Sequence, residues 1–205
     1  MNGADRATGR RPRTPSARVA PELLNAAESV LVKDGMRGLT VRAVAAEAGV
    51  APMSVYNQFG GKAGLLATLL LRGFGRLEAA MEACEEDDAR TQLHHCCLKY
   101  REFALANPQL YAVLFQGTTL SERESARVRK HADGCLRLLA RNVKLAAAAG
   151  AIAERDAHEA AQQIWGALHG AVALELKGLA QTLDSGVTYR ALVETILRGL
   201  ARQPQ

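Results

Sequence analysis

The chain has 205 residues, 48% of them hydrophobic and 4% aromatic, with a formal net charge of +5. This is enough apolar material for a core and excludes a disordered chain, and the abundance of Ala and Leu makes an all-helical protein the natural expectation. The charge is uneven. Residues 1–62 hold nine Lys or Arg against five Asp or Glu, and the remainder holds seventeen against sixteen. The basic end suits a polyanion such as DNA, although a solvated surface with a basic tail fits the charge equally well.

Residues 1–16 are rich in Arg, with Pro, Gly, Thr and Ser and almost nothing apolar, and read as a disordered basic arm. Behind it, Ala20, Leu23, Leu24, Ala27, Val30 and Leu31 recur at helical spacing and predict a helix from Ala17 to about Gly35. Thr40 can cap a short second helix, with Leu39 and Val44 as a hydrophobic staple and Gly49 as its end. Pro52 suits the first turn of a third helix, whose buried edge is Val55 and Phe59 and whose Tyr56 points outward. Gly60-Gly61 breaks the chain, and Lys62 opens a long helix to about Glu82.

Further on, the acidic run Glu85–Asp88 precedes a helix over Ala89 to Ala106, and Asn107-Pro108 marks a break. A short helix carries Leu110, Tyr111, Leu114 and Phe115, and Ser121 caps a long one to about Ala149. Another helix is expected from Glu154 to Ala180. Asp184-Ser185-Gly186 reads as a turn before a last helix from Thr188 to Arg202. The sum is an all-α chain of about nine helices.

Two short helices separated by Gly49-Val50-Ala51 form a helix-turn-helix pattern, whose second helix enters the DNA major groove. The run Thr40-Val41-Arg42-Ala43-Val44-Ala45, then Gly49-Val50-Ala51, Val55-Tyr56-Asn57-Gln58-Phe59, Lys62 and Leu65-Leu66, resembles the N-terminal signature of TetR/AcrR transcriptional regulators. The resemblance covers residues 17–66. It implies DNA contacts from Thr40 and Arg42, from Pro52, Met53, Ser54, Tyr56, Asn57 and Gln58, and from Lys62 as a phosphate-binding lysine at a helix start. One departure is Ala51, where the family has a Ser or Thr cap, which forgoes roughly 1 kcal/mol. The third helix holds no Arg or Lys, so phosphate contacts are expected to supply much of the affinity. The arm residues Arg6, Arg10, Arg11, Arg13 and Arg18 are candidates for a neighbouring minor groove.

The resemblance continues in Ile164-Trp165-Gly166-Ala167-Leu168-His169-Gly170 and in Asn107-Pro108 with Leu110, Tyr111, Leu114 and Phe115, which look like a Trp-His-Gly subgroup of TetR C-terminal domains. It implies three parts: the arm over 1–16, a helix-turn-helix domain over 17–64, and a helical ligand-binding and dimerisation domain over 65–205. The partners implied are an operator in double-stranded DNA, a small molecule and a second copy of the chain, with the helices near 154–180 and 188–202 forming the dimer. Gly166 and Gly170 lie on one helical face, where small residues let another helix approach. The candidate pocket lining is Tyr100, Phe103, Tyr111, Leu114, Phe115, Trp165, Leu168 and His169; for each of these side chains plain core packing is the competing reading. Glu175 is either a charged pocket group or a surface residue.

No metal and no cofactor are expected. His94-His95-Cys96-Cys97 cannot converge on one ion from an intact helix, because consecutive side chains point ~100° apart. No nucleotide loop, nucleophile elbow or paired-His motif suggests an enzyme, and Gly60-Gly61-Lys62 lacks the strand and spacing of a phosphate loop. The resemblance implies a repressor that binds a pseudo-palindromic operator as a dimer and is released by a small molecule; the alternative is a helical interaction module without specific DNA binding. The four cysteines are too sparse for a disulfide scaffold. The polar start lacks the apolar run of a signal peptide, and no stretch reaches the ~18 apolar residues of a membrane span. A cytoplasmic protein is expected.

Overall fold

The computed structural model describes residues 16–83, 88–115 and 120–201, with side chains from residue 18 onward. The expected disordered arm, with Arg6, Arg10, Arg11 and Arg13, lies outside the described residues, as does most of the acidic loop at 85–88. Nine helices and no strand occur among the described residues: α1 (Ser16–Gly38), α2 (Val41–Glu47), α3 (Met53–Phe59), α4 (Lys62–Glu82), α5 (Ala89–Ala106), α6 (Pro108–Phe115), α7 (Glu122–Ala148), α8 (Ala157–Leu176) and α9 (Ser185–Leu200).

Side-chain caps set most of the helix starts. The Thr40 hydroxyl accepts the Ala43 N–H at 3.1 Å, and both Leu39 and Val44 of the staple are buried. Ser121 and Glu124 form a full capping box at the head of α7. Each of these oxygens satisfies an N–H that the first helical turn leaves without an intrahelical partner. α3 has no side-chain cap; Pro52 takes helical dihedrals there instead, with φ −54° and ψ −29°.

Two helices differ from expectation at their ends. α8 begins at Ala157, not Glu154, because the Asp156 carboxylate accepts the His158 and Glu159 N–H groups at 2.8 and 2.9 Å. It stops at Leu176, not Ala180, as the chain turns through Gly178 at φ +66°. α9 starts inside the expected turn, at Ser185, since Asp184 caps it by accepting the Val187 N–H at 2.9 Å. In α1, Gly35 has φ 65° and interrupts the helix at the expected place, although helical turns resume to Gly38.

α1, α2 and α3 pack with the start of α4 around Leu23, Ala27, Val44, Ala45, Val55 and Leu65, all with 1% exposure or less. α4 then runs into the C-terminal half, where α7 lies against it and α8 lies on α7. One continuous apolar core results. Small residues set the closest crossings. A Cβ on Gly73 would stand 2.8 Å from Leu114 Cδ2, so α6 can settle on α4 only because that position is glycine. No helix among the described residues is long and apolar enough to cross a membrane.

Candidate functional site

The residues singled out for DNA contact lie on one solvent-facing stretch of the first four helices. α3 buries only Val55. Met53 is 63% and Tyr56 51% exposed, Pro52, Asn57 and Gln58 are exposed, and Ser54 is half-buried. Thr40 and Arg42 at the head of α2 are exposed, as is Lys62 at the head of α4. The α3–α4 junction is tightly constrained. Gly60 and Gly61 have φ 73° and 125°, a region that side chains with a Cβ rarely adopt. Carbon atoms of the Tyr56 ring would lie 3.5 and 3.6 Å from a Cβ on Gly61, so the ring rests beside this turn while half of it stays in solvent. Gly64, not singled out from sequence, is also required: a Cβ there would lie 1.9 Å from the Phe59 carbonyl oxygen. A glycine in the first turn of a helix otherwise rich in Leu was its only sequence signal.

The charges divide into paired and unpaired sets. Lys33 is neutralised by Glu47 at 2.7 Å, which also accepts the Ser29 hydroxyl and is held below the usual carboxylate range by those two hydrogen bonds. Arg37, Arg42 and Lys62 are exposed and form no ion pair among the described residues. No carboxylate lies among the nine DNA-contact candidates. Exposed cations that no carboxylate neutralises are complementary to phosphate.

In the C-terminal half the eight pocket candidates part ways. Tyr100, Phe103, Leu114 and Leu168 are buried in the core. Tyr111, Phe115 and His169 line a cavity of about 300 Å³ between α6 and α8, together with Gln109, Leu176 and Lys177. Trp165 is half-buried beside this group, its ring centroid 6.0 Å from those of Phe115 and His169. A polar chain links core to cavity: Trp165 Nε1 donates to Tyr100 Oη at 3.2 Å, Tyr100 and Tyr111 hydroxyls meet at 2.8 Å, and Tyr111 Oη lies 2.8 Å from His169 Nδ1. Burial pushes the Tyr100 hydroxyl up to about 12 and raises Tyr111 further, so both stay protonated; burial also holds His169 below its ordinary range.

Glu175 forms a two-pronged pair with Arg101 of α5, at 2.8 and 2.6 Å, and the Arg101 guanidinium lies 5.6 Å from the Tyr189 ring centroid of α9. The acid therefore ties three helices together. It also borders a second, apolar opening of about 340 Å³ between α8 and α9, lined by Leu174, Leu179 and Leu192. His94 pairs with Glu194 at 3.2 Å, while Cys96 and Cys97 face the core. No group of three His, Cys, Asp or Glu side chains suited to a metal occurs among the described residues.

The link between the two halves was missed from sequence. Glu28 of α1 meets Arg72 at 3.2 Å and Arg76 at 3.0 Å, both on α4, and Arg76 donates to Asn107 Oδ1 at 2.8 Å. Asn107 immediately precedes Pro108 and Gln109, which border the 300 Å³ cavity. Pairs 48 and 31 residues apart leave no periodic trace in a sequence.

The family model described as bacterial regulatory proteins, tetR family, matches residues 23–69. A second, described as the tetracyclin repressor-like C-terminal domain, matches residues 93–198, just over half of the chain. The chain belongs to the TetR family of transcriptional regulators. No curated protein matches this sequence. Among solved structures, a Rhodococcus sp. RHA1 protein of unknown function is 29% identical over 97% of this chain and 100% of its own, with a TM-score of 0.80. The TetR-family regulator PfmR from Thermus thermophilus is 22% identical over 88% and 99%, with a TM-score of 0.69. FadR from Bacillus subtilis, solved in complex with stearoyl-CoA, is 22% identical over 87% and 98%, with a TM-score of 0.72. The last two likenesses concern the TetR fold alone.

Proposed function

We propose that this TetR-family regulator binds a pseudo-palindromic DNA site as a homodimer and leaves it when a small molecule enters the C-terminal half. The observation that carries the DNA reading is the exposure of α3 and of the heads of α2 and α4, with Arg42 and Lys62 unpaired among the described residues. Lys62 adds its charge to the positive end of α4 and suits a phosphate. Arg42 and Thr40 position the duplex, while Met53, Ser54, Tyr56, Asn57 and Gln58 present methyl, ring and amide groups to base edges.

A second copy fits α8 and α9. Gly166 and Gly170 are exposed, and a Cβ on either would meet nothing within 4 Å in this chain, so their small size serves no contact inside it. Leu174, Leu179, Leu183 and Val187 are each more than half exposed on the same pair of helices and their connection. Several large apolar side chains exposed on one pair of helices favour burial against a partner. The finer assignment to a Trp-His-Gly subgroup rests on Trp165, His169 and Gly170, and the domain boundaries near 16 and 64 and a cytoplasmic location belong to the same reading.

Release follows from the route Gln109–Asn107–Arg76–Glu28. A ligand that displaces the head of α6 pulls on α4 and α1 through these charged contacts and shifts the spacing of the two recognition helices away from the about 34 Å of successive major grooves. Selection of genomic fragments by the purified protein tests the reading. The expected result is an enriched pseudo-palindrome, lost on Tyr56→Ala or Lys62→Ala. A folded dimer that enriches no sequence across a range of salt overturns it in favour of a helical interaction module.

A further inference from the structure

Resting on the ligand-responsive reading above, we propose that the cavity between α6 and α8 takes a compact apolar acid, its carboxylate held between the His169 Nε2–H and the Lys177 ammonium. The His169 tautomer follows from counting protons. Trp165 Nε1 can only donate, and it donates to Tyr100 Oη. The two tyrosine hydroxyls meet each other at 2.8 Å and His169 Nδ1 at 3.1 and 2.8 Å. With Nδ1 bare, every proton is placed: Tyr100 donates to Tyr111, and Tyr111 donates to Nδ1. With a proton on Nδ1, four donors, Trp165 among them, share two oxygens, and one of the two hydroxyls has no acceptor in the network, a costly arrangement. The ring proton therefore sits on Nε2.

Nε2 has no partner among the described residues, and it is not one of the enclosed, unsatisfied polar atoms of the core. It belongs to a ring on the cavity wall, so its N–H is a fixed donor offered to whatever enters. Lys177 lines the same cavity, is exposed, and forms no ion pair among the described residues. Gln109 adds an amide, and no Asp or Glu among the described residues lines the space. One cation, one neutral N–H and one amide complement a single monoanion that only accepts, which is a carboxylate. A cationic ligand meets Lys177 as a like charge. Phe115, Leu176 and Ala173 leave the rest of the wall apolar. At ~30 Å³ per water-sized unit of liquid, 300 Å³ holds a body of roughly ten non-hydrogen atoms.

The test uses the full chain and the acids benzoate, phenylacetate and hexanoate, each against its neutral amide, with stearoyl-CoA as a larger probe. Trp165 is the only tryptophan, so its fluorescence reports occupancy of the cavity, and calorimetry gives the affinity. At least one acid should bind saturably and about tenfold or more tighter than its amide, in keeping with a hydrogen bond to a charged group. Lys177→Gln should lose about that factor without a change in Tm, since the side chain is exposed, and Lys177→Arg should retain most of it. Three results would overturn the proposal: equal binding of acids and amides, full binding by Lys177→Gln, or binding of stearoyl-CoA with none of the three acids. Retained DNA fragments, added to the same samples, separate the two readings. An acid that binds yet leaves DNA bound sinks release by this ligand while the site stands, and release by the amides as readily as by the acids sinks the site.

Discussion

α3 and α6 are seven and eight residues long; α3 follows Pro52 and α6 opens at Pro108. α3 buries only Val55, whereas α6 buries Leu110, Tyr111, Val113 and Leu114. Burial of one aliphatic side chain contributes on the order of 1.5–3 kcal/mol, so α3 is held by little of its own surface and depends on Gly60, Gly61 and Gly64 to dock it against α4. The composition of α6 answers to the interior, while that of α3 is free to answer to a partner outside the chain. A short helix with most of its side chains in water is a place to look for recognition. A short helix that buries half of its residues is a place to look for transmission.

The largest way to break this contrast is inside α6. Leu110→Ala should cost about 2–5 kcal/mol, read as a lower midpoint in urea unfolding with unchanged slope, because Leu110 is 5% exposed and packs on Gly73. Tyr111→Phe should cost about 0.5–1.5 kcal/mol, since it removes the Tyr111 hydroxyl from the network while the Tyr100 hydroxyl can still donate to His169 Nδ1 at 3.1 Å, and it should perturb Trp165 fluorescence. In the other half, Thr40→Ala should cost about 1 kcal/mol through loss of one cap, with Ser at that position restoring it. Tyr56→Ala should change stability by less than about 0.5 kcal/mol while lowering affinity for a selected DNA site at least tenfold; equal losses in both would erase the distinction between the two helices.

Acid acts on the same contrast more gently. His169 and His94 are both held below the ordinary histidine value of 6.5, in each case by burial first. The folded chain therefore binds these protons more weakly than the unfolded chain. Their contribution to stability is complete above about pH 6.5 and falls as the pH drops through the unfolded value toward the lower folded ones. The capping carboxylates Asp88, Asp156 and Asp184 are lowered by the hydrogen bonds they accept, so their contribution fades only below their ordinary 3.8. A Tm series from pH 7.5 to about pH 5 should decline, and His169→Gln should flatten part of that decline. An unchanged slope would show that the ring is as easily protonated folded as unfolded.

Much of this molecule is legible in the sequence because the relevant physics is local. Helix periodicity, the Thr40 and Ser121 caps, the Gly60-Gly61 break and the outward Tyr56 are all decided within a turn or two of chain. The family signature from Thr40 to Leu66 belongs to the same local record. The ends of α8 and α9 differ from expectation for a local reason too. Asp156 and Asp184 each cap the helix behind them, a role that their short polar side chains allow but that periodicity does not reveal. Which aromatics line a cavity is beyond reach, since Tyr100 and Tyr111 are alike in sequence and differ only in what stands across from them.

The all-helical character of the chain, the helix-turn-helix near its basic end and the outward side of α3 are all written in the order of its residues. These follow from the 3.6-residue period and from capping chemistry, which act between neighbours. It takes the packed fold to show that Glu28, Arg76 and Asn107 tie α1 to the head of α6, that Glu175 pairs with Arg101, and that two tyrosine hydroxyls meet His169 Nδ1. Those facts depend on groups far apart in the chain meeting within about 3 Å, and hydrogen bonds at that range are set by how helices pack, which no stretch of sequence specifies alone.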